Sequence, residues 1–200
     1  LDLGRPWNLW RPLTTWNPDS VMFVVAWCVT VYSIVLFAEL SGMIFEKFGW
    51  LRAMRIQRAC TMPLVVVGVV LSIVHQSSLG GLYLVMENKL HALWYSNYLP
   101  LLFLISAVAV GLAMITVESR LSGRVFGHHL SGRILSELGA AQLVMLLLYG
   151  VVRLTDLAAR GALDEIFRMT QESWLFLVEF GVGVILPAVL LASARRRRNM

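Results

Sequence analysis

The chain has 200 residues, 58% hydrophobic and only 14% charged, with a mean hydropathy of +0.72; a water-soluble domain carries roughly 25% charged residues, so that class is excluded and lipid is the expected solvent. The net charge of +5 gives no reason to expect a nucleic-acid partner, because the arginines fall between apolar runs and at the C-terminus. Cys28 and Cys60 both lie in apolar runs without metal-ligand spacing, which leaves no basis for a disulfide framework or a zinc or iron–sulfur site.

Residues 1–19 form an arm rich in tryptophan and proline. Leu1 is not an initiator methionine and no signal-peptide pattern follows it, so an internal piece of a longer chain is expected. A membrane helix needs about 20 mainly apolar residues, and windows of that size find five: Ser20 to Phe45, Ala59 to Val85, Leu99 to Thr116, Leu135 to Leu154 and Trp174 to Ala194. The expected organisation is therefore an outer-face arm over 1–19, an all-α bundle of about five membrane helices over 20–194 and a basic tail over 195–200. Pro63 and Pro187 lie near span ends and Gly80-Gly81 inside a span, which membrane helices tolerate.

The distribution of lysine and arginine predicts orientation. Lys47, Arg52, Arg55 and Arg58 belong to the first connection, Arg120, Arg124 and Arg133 to the third, and Arg195, Arg196, Arg197 and Arg198 to the tail, which makes eleven on one side. Arg5 and Arg11, Lys89, and Arg153, Arg160 and Arg168 of the fourth connection make six on the other. The positive-inside rule puts the tail in the cytoplasm and the N-terminal end in the periplasm of a bacterial inner membrane. Trp7, Trp10, Trp16, Trp94 and Trp174 would form an aromatic belt at the outer interface.

Ionisable residues within lipid are costly and are functional candidates by default. Glu39, His75, Glu118 and Glu179 fall within or at the edge of the spans. At a rise of ~1.5 Å per residue, His75 and Glu179 reach the outer half of the membrane, and Glu39 and Glu118 lie near its inner boundary. His75 opens the polar run His75-Gln76-Ser77-Ser78-Leu79-Gly80-Gly81, and the connection that follows carries His91, Trp94, Tyr95 and Tyr98. Hydrogen-bond donors beside aromatic walls suit a flat amphipathic redox ligand such as a quinone, with the imidazole donating to a carbonyl and relaying a proton. Equally, His75 fits as a brace bonded to a neighbouring helix. Glu39, Glu118 and Glu179 are candidates for a proton route; for Glu118, two residues before Arg120, an ion pair at the interface is the competing reading.

A bis-histidine haem needs facing histidines. Only His75 lies inside a span; His91 is in a connection and His128-His129 sits beside arginines, so neither haem nor another metal is expected.

Asp2-Leu3-Gly4-Arg5-Pro6-Trp7 followed by Asn17-Pro18-Asp19-Ser20 resembles the signature of the NrfD/PsrC family of respiratory membrane subunits. Ala26-Trp27-Cys28, Leu36-Phe37-Ala38-Glu39, His75-Gln76-Ser77-Ser78-Leu79-Gly80 and Leu90-His91-Ala92-Leu93-Trp94-Tyr95 are similar to its HybB branch, the membrane subunits of quinone-reactive nickel–iron hydrogenases. The resemblance runs from about Asp2 to Pro187. It implies a bundle of eight to ten helices, of which this chain would hold the third to the seventh. It further implies menaquinone or ubiquinone bound near the outer face, beneath a periplasmic ferredoxin-like iron–sulfur subunit and a catalytic subunit, and no haem despite the branch's cytochrome label. His75, Gln76, Ser78, Trp94 and Tyr95 would then contact the quinone, with Glu39, Glu118 and Glu179 on a proton route.

The expected function is a quinone-binding subunit that passes electrons between the iron–sulfur partner and the quinone pool, with proton translocation if the outer site is fed from the inner side. A purely structural anchor and a secondary transporter are the alternatives; the transporter lacks visible inverted repeats.

Overall fold

The computed structural model describes residues 6–8, 10–85, 89–127 and 131–193. Asp2 to Arg5, the His128-His129 pair and the tail at 195–200 lie outside them. After a 3-10 turn at Pro6–Asn8 and a short α1 at Arg11–Thr14 come α2 at Val21–Lys47, α3 at Leu51–Leu84, α4 at Leu99–Phe126, α5 at Gly132–Ala159, α6 at Leu163–Phe167 and α7 at Gln171–Phe180. A π-helical turn at Gly181–Ile185 joins α7 to α8 at Leu186–Ala192. Among the described residues five helices are long and apolar enough to cross a membrane: α2, α3, α4, α5 and the continuous Gln171–Ala192. The protein is a multi-span, all-α membrane bundle, as the apolar runs predict.

Helix ends depart from the apolar runs in one direction. α3 begins at Leu51, well before Ala59, so Arg52, Arg55 and Arg58 ride on its first turns and not in a loop. Likewise α4 continues past Thr116 to Phe126 and carries Arg120 and Arg124. Arginine is a good helix former, and its long stem lets the helix run on while the charge stays in the polar zone. Pro63 consequently falls inside α3 and not near its end. Arg153, counted above with the fourth connection, lies within α5.

The chain forms two compact units, one through Leu82 and one from Tyr83 onward. In the first, α2 and α3 make an antiparallel hairpin whose turn uses Gly49 at φ +68°, a left-handed conformation that side chains disfavour. Small residues let the two helices approach, as between membrane helices generally. A Cβ on Gly68 would lie 3.5 Å from Val35 Cγ1 and 3.6 Å from Glu39 Oε1, and one on Gly81 3.7 Å from Val21 Cγ1. Trp16 packs edge-on against Phe23 and Trp27, pinning the segment after α1 to the start of α2. Hydroxyls are satisfied within their own helices, where lipid offers no partner: Thr30 Oγ1 donates to the Ala26 carbonyl at 2.8 Å and Ser33 Oγ to that of Val29 at 2.8 Å.

In the second unit α4 and α5 pair most extensively, and α8 packs on α5. Ala109, Leu146 and Leu191 form one buried cluster. Leu93, Leu157, Ala162 and Phe176 form another, flanked by Trp94, Ile166 and Phe180. Ser173, buried, donates to the Glu165 carbonyl at 2.6 Å and ties α7 to α6. The π turn has a local cause: Pro187 lacks an N–H and cannot bond the carbonyl four residues back, and the Leu186 N–H bonds instead to Gly181, five residues back.

Gly150 marks where α5 meets the last span, since a Cβ there would contact Val184 Cγ1 at 3.6 Å and Phe180 Cζ at 3.8 Å. Gly150→Ala is expected to leave the melting temperature of the full-length protein in detergent unchanged, whereas Gly150→Leu overpacks the crossing and costs about 1–3 kcal/mol, read as a lowered midpoint.

Candidate functional site

His75 sits two-thirds of the way along α3, in the first unit. Its Nδ1 is buried and has no hydrogen-bond partner among the described residues, the one buried side-chain nitrogen or oxygen of which that holds. A buried polar atom without a partner is costly and calls for a ligand or water. The brace reading, in which the ring bonds a neighbouring helix, finds no support at this atom. Gln76 and Ser78 are half-buried beside it; the Ser78 hydroxyl donates back to the His75 carbonyl at 2.7 Å, leaving its lone pairs as acceptors. Glu39 lies on α2 against Gly68.

Trp94, Tyr95 and Glu179 belong to the second unit, as does Glu118, which is exposed on α4 and makes no ion pair with an arginine among the described residues. Here the structure brings together two residues that sequence assigned to different tasks. The Trp94 indole Nε1 donates to Glu179 Oε2 at 2.7 Å, while its ring stands edge-on to Phe176 at 6.1 Å and to His91 at 6.0 Å. Tyr95 is half-buried one residue on.

Arg153 organises this end of the unit. Only 4% exposed, it donates from Nη1 to the Trp94 carbonyl at 3.3 Å and from Nη2 to the Leu93 carbonyl. Its guanidinium also lies 5.8 Å from the Phe176 ring centroid, a favourable cation–π arrangement. One helical turn on, Asp156 is buried and accepts from Arg160 Nη2 at 2.7 Å and Nε at 3.0 Å. Arg160 Nη1 continues to the Ala92 carbonyl at 2.9 Å. Three successive carbonyls, of Ala92, Leu93 and Trp94, are thus held by Arg153 of α5 and by Arg160, which caps its end, and this is how a non-helical connection survives at the edge of a lipid phase. Turns within the connection add the Leu93 N–H to His91 Nδ1 at 3.2 Å and the Tyr98 N–H to Ser96 Oγ at 3.0 Å.

Beneath this node is a cavity of about 160 Å³ lined by Ser106 and Val110 of α4, Tyr149 and Arg153 of α5, and Phe176, Glu179 and Gly183 of the last span, among others. Tyr149, Arg153 and Phe176 were not singled out from sequence. For Arg153 a signal was present, since it falls within the apolar run that ends at Leu154 and precedes Asp156 and Arg160 at three- and four-residue spacing; for Tyr149 and Phe176 there was none.

The chain matches the family described as Polysulphide reductase, NrfD, over residues 1–200. It belongs to that family. The resemblance carried by the Asp2–Trp7 signature and the His75 run is thereby borne out. Three curated relatives cover the whole chain. One is a protein of Nitratidesulfovibrio vulgaris Hildenborough, 34% identical with 53% of its length matched. The second is the Probable Ni/Fe-hydrogenase 2 b-type cytochrome subunit of Escherichia coli K12, 29% identical with 52% matched. The third is the Menaquinone reductase, integral membrane subunit, of N. vulgaris Hildenborough, 27% identical with 53% matched. The chain spans about half the length of the curated relatives it matches. No solved structure matches it significantly.

The second relative is named a b-type cytochrome subunit, and a haem would need axial ligands. Within neither unit do two described histidines occur, since His75 lies in the first and His91 in the second. No group of three or more His, Cys, Asp and Glu able to hold a metal occurs among the described residues. The described residues do suit a hydrogen-bonding organic ring, through the unpartnered His75 Nδ1.

The node predicts a ranking of stabilities. Arg153→Met strands two carbonyls and should cost about 2–6 kcal/mol, at roughly 1–3 for each buried unsatisfied group. Trp94→Phe keeps the ring contacts, loses one bond to an exposed carboxylate and should cost about 1 kcal/mol or less. Thermal melts of both variants of the full-length protein check the order.

Proposed function

We propose that this NrfD-family chain is the quinone-interacting membrane portion of a respiratory oxidoreductase of the bacterial inner membrane. It passes electrons between a periplasm-facing iron–sulfur subunit, itself wired to a catalytic subunit, and the quinone pool, with its N-terminal end periplasmic and its C-terminal end cytoplasmic. The observation that carries the reading is the orphaned Nδ1 of His75, within the polar His75-Gln76-Ser77-Ser78 run of an otherwise apolar helix. A quinone carbonyl accepts a hydrogen bond from a protonated nitrogen, and an imidazole can then relay the proton. Gln76 and Ser78, beside it on the same helix, add polar contacts. Menaquinone is favoured over ubiquinone by the name of one relative, a menaquinone reductase subunit. No step is routed through haem.

The test uses the full-length protein in its complex, titrated with the quinol analogue 2-heptyl-4-hydroxyquinoline N-oxide by fluorescence quenching. His75→Ala should weaken binding roughly tenfold, equivalent to about 1.4 kcal/mol, with the melting temperature maintained. Full affinity in that variant would remove His75 from the site, and no binding in the wild type would reduce the chain to an anchor.

Glu39, Glu118 and Glu179 remain the proposed proton-carrying groups. Glu39 has no ion-pair partner among the described residues, so its carboxyl is available to exchange protons from the cytoplasmic side. Proteoliposomes of the intact complex should generate a membrane potential during quinone turnover that falls several-fold in Glu39→Gln; an unchanged potential would dismiss the carboxylate route.

A further inference from the structure

The second unit contains polar groups that the fold does not use. Arg153 is buried, and two of its five N–H donors are taken by the Leu93 and Trp94 carbonyls. No carboxylate lies within ion-pair distance of it among the described residues. The Tyr149 hydroxyl, one turn earlier on the same helix, makes no hydrogen bond among the described residues. Glu179 has one carboxylate oxygen fixed by Trp94. All three line the same cavity, whose other walls are mainly aromatic and aliphatic, Phe176 and Phe180 stacked at 5.8 Å with Ala109, Leu146 and Val184, beside Ser106, whose hydroxyl donates to the Phe103 carbonyl.

Its volume of about 160 Å³ matches the scale of a cavity that takes a single benzene ring, about 150 Å³. Val110 and Glu179 are exposed, so the cavity can be reached from outside the bundle. A free anion is disfavoured by Glu179 and a free cation by Arg153. What satisfies both is a neutral planar ring with an acceptor oxygen at one edge and a hydroxyl at the other. The acceptor would meet Tyr149 and Arg153, the hydroxyl would donate to Glu179, and the ring face would lie against Phe176 and Phe180.

We propose that this cavity binds the head ring of a quinol, as a ring site of the second unit that does not use His75. The proposal rests on the reading of the chain as quinone-interacting. The π turn contributes directly: a Cβ on Gly183 would meet no atom within 4 Å, so the glycine leaves open space on the cavity wall.

Gly183 supplies the test: a Cβ there meets no atom within 4 Å, and a leucine on this lining residue takes up space that the ring needs. The full-length complex in native membranes is photolabelled with the quinol form of a 3-azido-1,4-benzoquinone carrying a decyl chain, and the labelled peptides are mapped. Label is expected on peptides spanning residues 146–153 or 176–184. It should fall at least tenfold in Gly183→Leu and several-fold in Tyr149→Phe, which removes only the hydroxyl, and persist in His75→Ala. Label on those peptides that is unchanged in Gly183→Leu overturns the site, as does label confined to other parts of the complex, which would leave the quinone reading standing. Absence of label anywhere in the complex overturns both.

Discussion

A guanidinium withdrawn from water and laid on main-chain carbonyls is the interaction on which the second unit depends. Between α3 and α4 the chain leaves helical geometry, and its carbonyls need donors that lipid cannot supply. Arg153 of α5 supplies them to Leu93 and Trp94, and Arg160, at the cap of that helix, to Ala92. Because the bonds run to backbone, they fix the path of the connection whatever side chains it carries. The indole of Trp94 is thereby set where it reaches Glu179, and the aromatic side of the cavity follows. Burying an arginine is expensive; hydrogen bonds and the Phe176 ring face offset that cost here, with no carboxylate within ion-pair distance among the described residues.

The first unit follows a plainer rule. Two long apolar helices approach where glycine removes a side chain, and hydroxyls fold back on their own helix. Against that background His75 Nδ1 stands out, since every other buried side-chain nitrogen or oxygen of the described residues has a partner. The two units thus hold unspent hydrogen-bonding capacity of different kinds: a single imidazole nitrogen in one, and a set of donors and an acceptor around a ring-sized space in the other.

The five spans were legible because desolvation of side chains dominates over twenty residues, and each apolar run has a helix beneath it. Their ends were not, since hydropathy records where lipid stops and helix propensity records where the backbone stops coiling. Arg52, Arg55 and Arg58 lower the first without opposing the second. His75 and Glu179 were recognisable as isolated polar residues in apolar surroundings. Arg153 was not, because its charge suggested a connection and its partners lie about sixty residues away in sequence, at carbonyls that carry no residue-specific signature. The pairing of Trp94 with Glu179 was hidden for the same reason: separation along the chain says nothing of proximity across two helices.

The wide turn at Gly181–Ile185 also sets the rotational phase of the last span. Each residue advances an α-helix by about 100°, so accommodating one extra residue in a turn re-aims everything beyond it. Upstream, Phe176 and Phe180 address the core around Leu93 and Leu157; downstream, Leu191 seats between Ala109 and Leu146. Shortening that loop of backbone by one residue would swing one of these two sets away from the bundle, so a single span serves two separate cores only while its azimuthal offset is kept.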